Sequence, residues 1–382
     1  MKILMLNYEF PPIGGGAAKA NLCLLRQYVG RDDLHVDMLT SAPRPGFKSE
    51  KFSENITIHK VGIHKKHLHF WRRSEVIEWL VKAGFHYRRL LRKNDYDLAH
   101  AFFGFPTGWL CYRNAGRLPY IISLRGSDVP GQHARLQLDY KILAPSFRAI
   151  WKKASALVAC SEGLKGRALL FMPSVSIDVI PNGVELDRFF PAEVAEKSKV
   201  LRLLTVGRLS VTKRIELLID TVEILHRTAC KLRLTVVGGG QMERQLRKIV
   251  TERELNDVIK ITGRIDSEKM PEVYRNNDIF ISASMQEGMS NAMLEAMASG
   301  LPIVTTRCEG LAELIDGNGL IVEQDNVEEI AKAVKKLADN RQLHKQMSIT
   351  ARNRAEQFSW PNVAEQYIRI YQNIKHRKDI GL

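Results

Sequence analysis

A segment in the second half of the chain carries two glutamates with seven residues between them, Glu287 and Glu295. Gly288, Met289 and Ser290 come directly before a predicted helix, and backbone amides at a helix N-terminus can bind a phosphate. Glu287 would lie in the loop before this helix, and Glu295 would lie more than one turn inside it. The two carboxylates could therefore bind different parts of one extended ligand.

Two cations, Arg208 and Lys213, follow the apolar run 201–206 and precede a helical stretch. Charge-assisted hydrogen bonds from such cations to phosphate oxygens contribute about 1.5 to 3 kcal/mol each. Surface cations on a loop are the ordinary alternative for Lys and Arg. The position directly after a predicted strand favours phosphate binding.

A run of three glycines, 14–16, separates the first predicted strand from a helix that starts near Ala17. Without side chains, Gly15 and Gly16 would let an anion or a sugar approach the backbone at the helix N-terminus. The run lacks the Gly-x-Gly-x-x-Gly spacing of a dinucleotide site. A tight turn between strand and helix is the structural alternative.

The predicted strands and helices must position these candidate residues. In the sequence, short apolar runs alternate with longer amphipathic stretches. Apolar runs without polar alternation are typical of strands buried on both faces, and their alternation with helices predicts doubly wound parallel sheets. In the first half the predicted strands are 3–7, 36–40, 56–61, 98–101, 120–123, 156–159 and 175–180. In the second half they are 201–206, 232–237, 258–262, 279–282, 303–305 and 320–322.

The pattern breaks once, after Pro181-Asn182-Gly183, and the segment 184–198 is predicted as a linker. We therefore expect an N-terminal domain over 1–190 and a C-terminal domain over 191–360. A final helix over 361–382 is expected to pack back toward the first domain. Open sheets of this type bind ligands at the carboxyl ends of their strands, so a cleft between the domains is the expected site.

The composition agrees with a two-domain globular protein: 382 residues, of which 45% are hydrophobic and 26% charged. This composition argues against disordered, collagenous and disulfide-scaffold proteins. The five cysteines are scattered singly, which predicts reduced thiols in a cytoplasmic protein. No apolar stretch reaches the length of about 18 residues expected of a membrane span, and the apolar residues 3–6 are too short for a signal peptide.

The net charge of +15 lies mostly in the first half, since residues 1–190 carry +12. The segment 59–93 alone has ten Lys and Arg against two acids, with aromatic residues between them. A basic amphipathic helix of this kind is typical of proteins that bind an anionic membrane surface. A helix with a cationic solvated face is the alternative. Nucleic acid is not expected as a partner, because no recognised nucleic-acid motif accompanies the charge.

The order of these features resembles the retaining nucleotide-sugar glycosyltransferases of family 4, over nearly the whole chain. That family has the GT-B architecture, in which two Rossmann-like domains face each other across a cleft. The segments that carry the resemblance are Phe10 to Gly16, Ile180 to Val184, Val206 to Leu209 with Lys213, Val237 to Gly240, and Glu287 to Val304.

The resemblance implies a role for each candidate residue. Arg208 and Lys213 would bind the donor diphosphate, Glu295 the ribose hydroxyls and Glu287 the donor sugar. The amides of Gly288, Met289 and Ser290 would support phosphate and sugar, Gly15 and Gly16 would lie near the diphosphate or the acceptor, and Arg264 after Gly263 would border the base.

Two motifs of the family are altered in this chain. Where many members have His-x-His, this sequence has His100-Ala-Phe102, so His100 is either a sugar ligand or a core histidine. A His-Gly-x-Asp pattern is Arg125-Gly-Ser-Asp128 here, so Asp128 could orient an acceptor hydroxyl or form a turn. No Asp-x-Asp metal motif is present, so we expect the Arg208 and Lys213 pair to replace a metal and no cofactor to be needed.

The resemblance thus implies transfer of a sugar from a UDP- or GDP-linked donor to a hydroxyl of a glycan or lipid-linked acceptor, with retention of configuration. Such a hexosyltransferase would act in the synthesis of cell-surface polysaccharide, lipopolysaccharide or glycolipid. The expected location is the cytoplasm, with peripheral association at the inner face of the membrane left open. The alternatives are a nucleotide-sugar epimerase of the same architecture and a basic membrane or nucleic-acid adaptor without catalysis.

Overall fold

The computed structural model describes residues 1–68, 70–131, 137–192, 200–228 and 230–380. The chain divides into two compact units, one formed by Met1–Asn182 with Trp360–Leu382 and the other by Gly183–Ser359. We call them unit 1 and unit 2.

Unit 1 is built on one sheet of mostly parallel strands. Its strands are β1 (Lys2–Asn7), β2 (His35–Ala42), β3 (Gly46–Ser53), β4 (Ile56–Gly62), β5 (Leu98–Phe102), β6 (Tyr120–Leu124), β7 (Ala156–Ala159) and β8 (Asp178–Val179). The helices between them are α1 (Gly16–Gln27), α2 (Arg73–Lys93), α3 (Thr107–Tyr112), α4 (Gln137–Lys153) and α5 (Glu162–Phe171).

The strand order of this sheet is β3-β4-β2-β1-β5-β6-β7-β8, and only the pairing of β3 with β4 is antiparallel. The chain order reverses between β1 and β5, because β1 pairs with β2 on one side and with β5 on the other. Ligands of doubly wound sheets bind at the carboxyl ends of the strands beside such a reversal. The glycine run 14–16 follows β1 at that point.

Unit 2 repeats the arrangement with a fully parallel sheet of order β11-β10-β9-β12-β13-β14. Its strands are β9 (Leu201–Val206), β10 (Leu232–Val237), β11 (Ile259–Gly263), β12 (Ile279–Ser282), β13 (Ile303–Thr306) and β14 (Gly319–Val322). Its helices are α6 (Ile215–Arg227), α7 (Glu243–Glu252), α8 (Met270–Arg275), α9 (Asn291–Ala298), α10 (Val327–Asp339) and α11 (Arg341–Glu356). The reversal lies between β9 and β12. The segment after β9 carries the predicted cations, the loop after β12 carries Glu287, and Glu295 lies in the helix α9 that follows.

The last helix, α12 (Trp360–Asp379), belongs to unit 1, where it packs on α1. Val363, Tyr367 and Tyr371 are buried on its inner face, at the spacing of an amphipathic helix. Full burial of such side chains contributes about 1.5 to 3 kcal/mol each, so the helix is an integral part of this core.

The two sheets confirm the predicted doubly wound α/β fold, with local differences. The strand β3 was not expected, because its sequence is polar and most of its side chains are exposed at the sheet edge. The strand predicted over 175–180 is shorter in the structure, where it comprises only the two residues of β8, Asp178–Val179. The division between the units lies after Asn182, eight residues before the expected boundary at 190, because Val184 pairs with Ser359 and the buried Phe189 packs on Tyr274 in unit 2.

The linker predicted over 184–198 lies partly outside the described residues, since 193–199 are not among them. Its described part, 184–192, belongs to unit 2. None of the described helices combines the length and the apolar character needed to cross a bilayer.

Candidate active site

The loop after β9 carries the two predicted cations at the carboxyl end of the unit 2 sheet. Leu209 is buried and anchors the loop, whereas its neighbour Arg208 is exposed. A single 3-10 turn, Val211–Lys213, then leads into α6. Short connections of this kind hold both cations within a few residues of the strand end.

Lys213 meets the other predicted segment directly, because its Nζ forms an ion pair with Oε1 of Glu287. The backbone N–H of Met285 also donates to the carbonyl of Thr212 (2.9 Å), which joins the loops after β9 and β12. Burial lowers the pKa of Lys213 from 10.5 to about 8, and the positive charge of Arg208 acts in the same direction. The structure therefore brings a cation and a carboxylate from separate parts of the sequence into one site.

A second group of hydrogen bonds fixes the loop that carries Glu287. The Ser284 hydroxyl donates to Glu287 Oε1 (3.3 Å), and Thr306 on β13 donates to the Ser284 carbonyl (3.3 Å). These bonds connect the carboxylate to two neighbouring strands. Glu287 is consequently held at the sheet edge, where it can act on a ligand with a fixed orientation.

The helix α9 begins directly after this loop, with Ser290 as its N-cap. The Ser290 hydroxyl accepts a hydrogen bond from Met293 N (3.3 Å), and both Met289 and Ser290 are largely buried. The amides of Gly288 and Met289 precede the cap and lie beside Glu287 in sequence. This is the helix terminus at which the sequence predicts phosphate binding.

Glu295 lies inside α9 and is almost completely buried, with 8% of its surface exposed. Its Oε2 accepts a hydrogen bond from the hydroxyl of Tyr274 on α8 (2.9 Å). Burial and the charge of Glu295 raise the pKa of Tyr274 well above 10, so the hydroxyl stays protonated and can only donate to the carboxylate. The ring of Tyr274 packs between Phe189 and Phe280, which fixes the donor in place.

Sequence reasoning did not identify Tyr274, because a tyrosine in a short predicted helix carries no motif. The resemblance implies that Glu295 binds the donor ribose, and on that basis Tyr274→Phe is expected to raise the KM for the donor about tenfold with a smaller change in kcat, since an oriented hydrogen bond to a buried carboxylate contributes about 1.5 to 3 kcal/mol. Tyr96→Phe is the matched control, because Tyr96 donates to Asp37 (2.6 Å) in unit 1. Equal KM values in the two variants would contradict this role for Tyr274.

Glycines allow the loop after β10 to lie against the loop that carries Arg208. A Cβ atom at Gly238 would overlap the carbonyl oxygen of Gly207, and one at Gly240 would overlap that of Leu209. The run 238–240 therefore supports the backbone on both sides of Arg208. The third glycine, Gly239, faces Arg264 instead, whose Nε would lie 3.2 Å from a Cβ placed there.

Arg264 follows Gly263 at the end of β11 and is exposed. Its contact with the glycine run brings it to the same carboxyl edge as Arg208. The structure thus brings Arg208, Lys213, Arg264 and Glu287 to one edge of the unit 2 sheet, together with the segment 288–290. Glu295 lies in the second turn of α9, the helix that starts from this edge.

The glycine run of unit 1 forms the N-terminus of α1, with Gly15 as the N-cap and Gly16 as the first helical residue. Gly14 has a φ of +99° and lies so close to Glu9 that a side chain would not fit. Its N–H donates to the carbonyl of Leu68 (2.8 Å). The two predicted residues lie at the carboxyl edge of β1, with Gly15 half-buried and Gly16 exposed.

His100 is fully buried in unit 1 and has a hydrogen-bond partner at each ring nitrogen. Its Nδ1 lies 2.7 Å from the hydroxyl of Tyr371, and its Nε2 lies 2.7 Å from that of Ser123. Burial lowers the pKa of His100 well below 6.5, helped by the charge of Arg125, so the ring is neutral. These contacts favour the core alternative for His100, which joins β5 and β6 to α12, over its role as a sugar ligand.

Asp128 is also buried, and both of its carboxylate oxygens bind backbone amides. Oδ1 accepts from Arg125 N and Oδ2 from Gly104 N, each at 2.8 Å. Burial raises the pKa of the carboxyl group above its usual value. The side chain therefore joins the loops after β5 and β6, which favours the turn-forming alternative over acceptor binding.

Across the described ranges of the chain, no three His, Cys, Asp or Glu side chains are grouped as ligands for a metal ion. Among the described residues, the unit 2 edge instead carries Arg208, Lys213 and Arg264, and the carboxylate of Glu287 is paired with Lys213.

Two family models match adjoining parts of the chain. Residues 14–188 match the model described as Glycosyltransferase Family 4, and residues 187–354 match that described as Glycosyl transferases group 1. The chain is a GT-B glycosyltransferase. The glycosyltransferase thus has the two Rossmann-like domains implied by the resemblance of its motifs.

Several curated proteins are similar to this glycosyltransferase. An uncharacterized glycosyltransferase of Methanocaldococcus jannaschii is 24% identical over 98% of this chain and 99% of its own length. A second from the same organism is 32% identical over 59% of this chain and 60% of its own length. The putative colanic acid biosynthesis glycosyltransferase WcaL of Escherichia coli is 27% identical over 49% of this chain and 48% of its own length.

Solved structures agree with the fold. Sucrose-phosphate synthase from Thermosynechococcus elongatus has a TM-score of 0.81 at 21% identity, over 98% of each chain. HepE from Anabaena, solved with UDP and glucose, has a TM-score of 0.72 at 18% identity, over 98% of this chain and 100% of its own.

Proposed function

We propose that this glycosyltransferase moves a hexosyl group from a UDP- or GDP-sugar to a hydroxyl of a glycan or lipid-linked acceptor, with retention of anomeric configuration. The observation that carries the proposal is the contact of Lys213 with Glu287 at the edge of the unit 2 sheet, beside the N-terminus of α9. A cation for phosphate and a carboxylate for sugar hydroxyls are adjacent there, as a sugar diphosphate requires.

The cations act on the leaving group. As the bond between the anomeric carbon and the phosphate oxygen breaks, negative charge grows on the nucleoside diphosphate. Arg208, Lys213 and the amides of Gly288 and Met289 stabilise that charge, which is larger in the transition state than in the bound donor. Interactions of this kind increase kcat as well as donor affinity.

The carboxylates orient the donor. Glu295 accepts hydrogen bonds from the ribose hydroxyls, and Tyr274 holds the carboxylate in the required orientation. Glu287 binds hydroxyls of the donor sugar, held in place by Ser284 and Lys213. Arg264 borders the base, and Gly15 and Gly16 of unit 1 bind near the diphosphate or the acceptor.

Retention follows from attack on the face that the leaving group occupies. In this mechanism the acceptor oxygen bonds to the anomeric carbon as the phosphate oxygen departs, and that phosphate oxygen accepts the acceptor's proton. The enzyme then needs no nucleophilic carboxylate. Relatives named for the synthesis of colanic acid and amylovoran support a glycan acceptor.

A screen of nucleoside diphosphate sugars by thermal shift tests the donor, because a bound ligand raises the unfolding temperature. We expect one donor to stabilise the protein and to transfer its sugar when acceptor glycans are added. Proton NMR of the product should show the anomeric configuration of the donor. Inverted product would contradict retention, and epimerised donor without an acceptor would support the epimerase instead.

The proposal includes no metal, because Arg208 and Lys213 supply the positive charge at the diphosphate. We expect EDTA to leave the transfer rate within about twofold of its value in untreated enzyme. The measurement is the initial rate after dialysis against the chelator. A loss of activity that added Mg²⁺ or Mn²⁺ restores would contradict this part of the mechanism.

The lowered pKa of Lys213 predicts how activity depends on pH. Only the protonated amine binds the diphosphate, so the fraction of competent enzyme falls as the pH rises through about 8. We expect kcat/KM for the donor to fall above that pH by about tenfold per pH unit. In Lys213→Arg the guanidinium stays charged, so the decline should move to higher pH; the same decline in both enzymes would contradict the assignment.

We also propose that the enzyme acts in the cytoplasm, at the inner face of the membrane when its acceptor is lipid-linked. The basic segment 59–93 motivates this location.

A further inference from the structure

The loops after β10 and β11 bring an arginine and a glutamate to the same point of the unit 2 edge. A Cβ atom on Gly239 would lie 3.2 Å from Nε of Arg264 and 3.5 Å from Oε2 of Glu243, the first residue of α7. Within the described part of the chain, Glu243 pairs with Arg247 and not with Arg264. A cation and a carboxylate therefore border the space above Gly239 without neutralising each other.

A second cation orients the carboxylate of Glu243. Arg247, one turn further along α7, donates from Nη2 to Oε1 of Glu243 (2.8 Å), and its Nε lies 3.3 Å from the same oxygen. The other oxygen, Oε2, has no hydrogen bond within the described residues and lies beside Gly239. An ionised carboxylate can only accept hydrogen bonds, so Glu243 presents acceptors to whatever occupies this space.

The order of the strands assigns this pair to one end of a bound donor. Along the sheet order β11-β10-β9-β12, the loops and helix starts carry in turn Arg264, Glu243, the two cations Arg208 and Lys213, and Glu287. Neighbouring strands lie about 4.8 Å apart, so the three intervals span about 14 Å, which is comparable with an extended nucleoside diphosphate sugar. A donor with its diphosphate at β9 and its sugar at β12 has its base at β10 and β11.

The hydrogen-bonding edge of guanine matches the two side chains at this end. Guanine has neighbouring acceptors at O6 and N7, which an arginine can bind with two N–H groups. It also has neighbouring donors at N1 and at the 2-amino group, which the two oxygens of a carboxylate can accept together. Arg264 and Glu243 thus supply one partner for each half of the base edge.

Other bases fit this pair of side chains less well. Uracil has a single donor, N3–H, between two carbonyl oxygens, so a carboxylate that accepts this proton has a carbonyl oxygen opposite its second oxygen. Adenine has an unprotonated N1 where guanine has N1–H, and its lone pair would face the carboxylate. Such repulsion between acceptors discriminates against the wrong ligand as effectively as new contacts favour the right one.

We propose that Glu243 and Arg264 select guanine, so that the donor is a GDP-linked sugar. The inference rests on the proposed function, in which the unit 2 edge binds the donor nucleotide, and it chooses one of the two bases left open there. Glu243 accepts from N1–H and the 2-amino group, and Arg264 donates to O6 and N7. Arg247 is a positioning residue, because it holds the carboxylate of Glu243.

Calorimetric titration of the full chain with GDP, IDP and UDP tests the choice of base. IDP has the O6, N7 and N1–H of GDP but lacks the 2-amino group. We expect the affinity to fall about tenfold from GDP to IDP and about tenfold again to UDP, because each step removes a hydrogen bond that the site is built to make. UDP binding as tight as that of GDP would overturn the assignment of guanine and leave the donor site in place. Binding of none of the three would contradict the donor site itself, and the inference with it.

A substitution in α7 tests whether Glu243 carries the preference. Glu243→Gln keeps the size of the side chain but has one acceptor oxygen, so it should weaken GDP binding about tenfold or more and change UDP binding less than about twofold. The matched control is Glu252→Gln at the end of the same helix, where the exposed side chain pairs with Lys248. It should leave both affinities unchanged. An equal loss for GDP and UDP in Glu243→Gln, or an unchanged preference for GDP, would overturn the proposal.

Discussion

Arg208→Ala combined with Lys213→Ala is expected to lower kcat/KM for the donor by about a hundredfold to ten-thousandfold. Each cation contributes about 1.5 to 3 kcal/mol to charge-assisted bonds with the diphosphate, so each single variant should lose about tenfold to a hundredfold. The loss should appear in kcat as well as in KM, because the cations stabilise charge that grows as the nucleotide departs. Initial rates with the donor found in the screen measure both quantities.

Two control variants test whether the loss depends on where the cation lies and on its shape. Lys248→Ala removes an exposed cation from α7, and its pair with Glu252 (3.4 Å) lies at the surface, so it should leave the rate unchanged. Arg208→Lys keeps the charge but loses the planar guanidinium, so it should retain part of the activity. Full activity in the double variant would remove the cations from the mechanism.

Gly310→Ala is expected to reduce activity more than tenfold although residue 310 carries no functional group. Gly310 has a φ of +76°, and a Cβ there would overlap the carbonyl oxygen of Gly288, in the loop that carries Glu287. The loop must move to accommodate the methyl group, and a shift of this kind separates Glu287 from Lys213 and the sugar. Misplacement by about 1 Å can reduce a rate about a hundredfold.

The matched control for this variant is Gly317→Ala. Gly317 has nearly the same conformation, with a φ of +72°, but its Cβ would only reach ordinary contact with Thr350 at 3.6 Å. Both variants should lose about 1 kcal/mol of folding free energy from the left-handed backbone, measured by denaturant unfolding, and Gly310→Ala should lose more because the loop at Gly288 must also move. Only Gly310→Ala should lose activity; similar rates in the two variants would contradict the positioning role.

The sequence pattern predicted most of the fold, because buried parallel strands leave uninterrupted apolar runs. The edge strand β3 was not predicted, because it lacks such an apolar run. Most of its residues, such as Lys48 and Lys51, are exposed and polar. The unit boundary was displaced because Val184 and Phe189 belong to the unit 2 core despite the turn residues around them.

Candidate residues that are close together in the sequence could be identified from it. Contacts between residues that are far apart in the sequence could not. The segment from Glu287 to Glu295 carries its own signal, as does Arg208 with Lys213. The ion pair between Lys213 and Glu287 depends on the neighbouring positions of β9 and β12, which no local pattern reveals.

The basic segment 59–93 shows the limit of charge counting. The sequence alone predicts an excess of positive charge along the whole segment. In the structure, Lys65 is paired with Glu75 and Lys82 with Glu78, both on α2. His59 lies beside Asp37 of β2, an acid far away in sequence (3.3 Å). The charge that remains exposed is concentrated near the C-terminal end of α2, a distribution that only the folded chain displays.

Calorimetric titration with nucleoside diphosphates tests the central claim most directly, since it needs neither the sugar nor the acceptor. The account predicts that one of UDP and GDP binds wild-type enzyme at a single saturable site, and that the Arg208→Ala, Lys213→Ala variant loses this binding while it remains folded. Binding of neither nucleotide, or equal affinity in wild type and variant, would contradict the assignment of the unit 2 edge to the donor diphosphate.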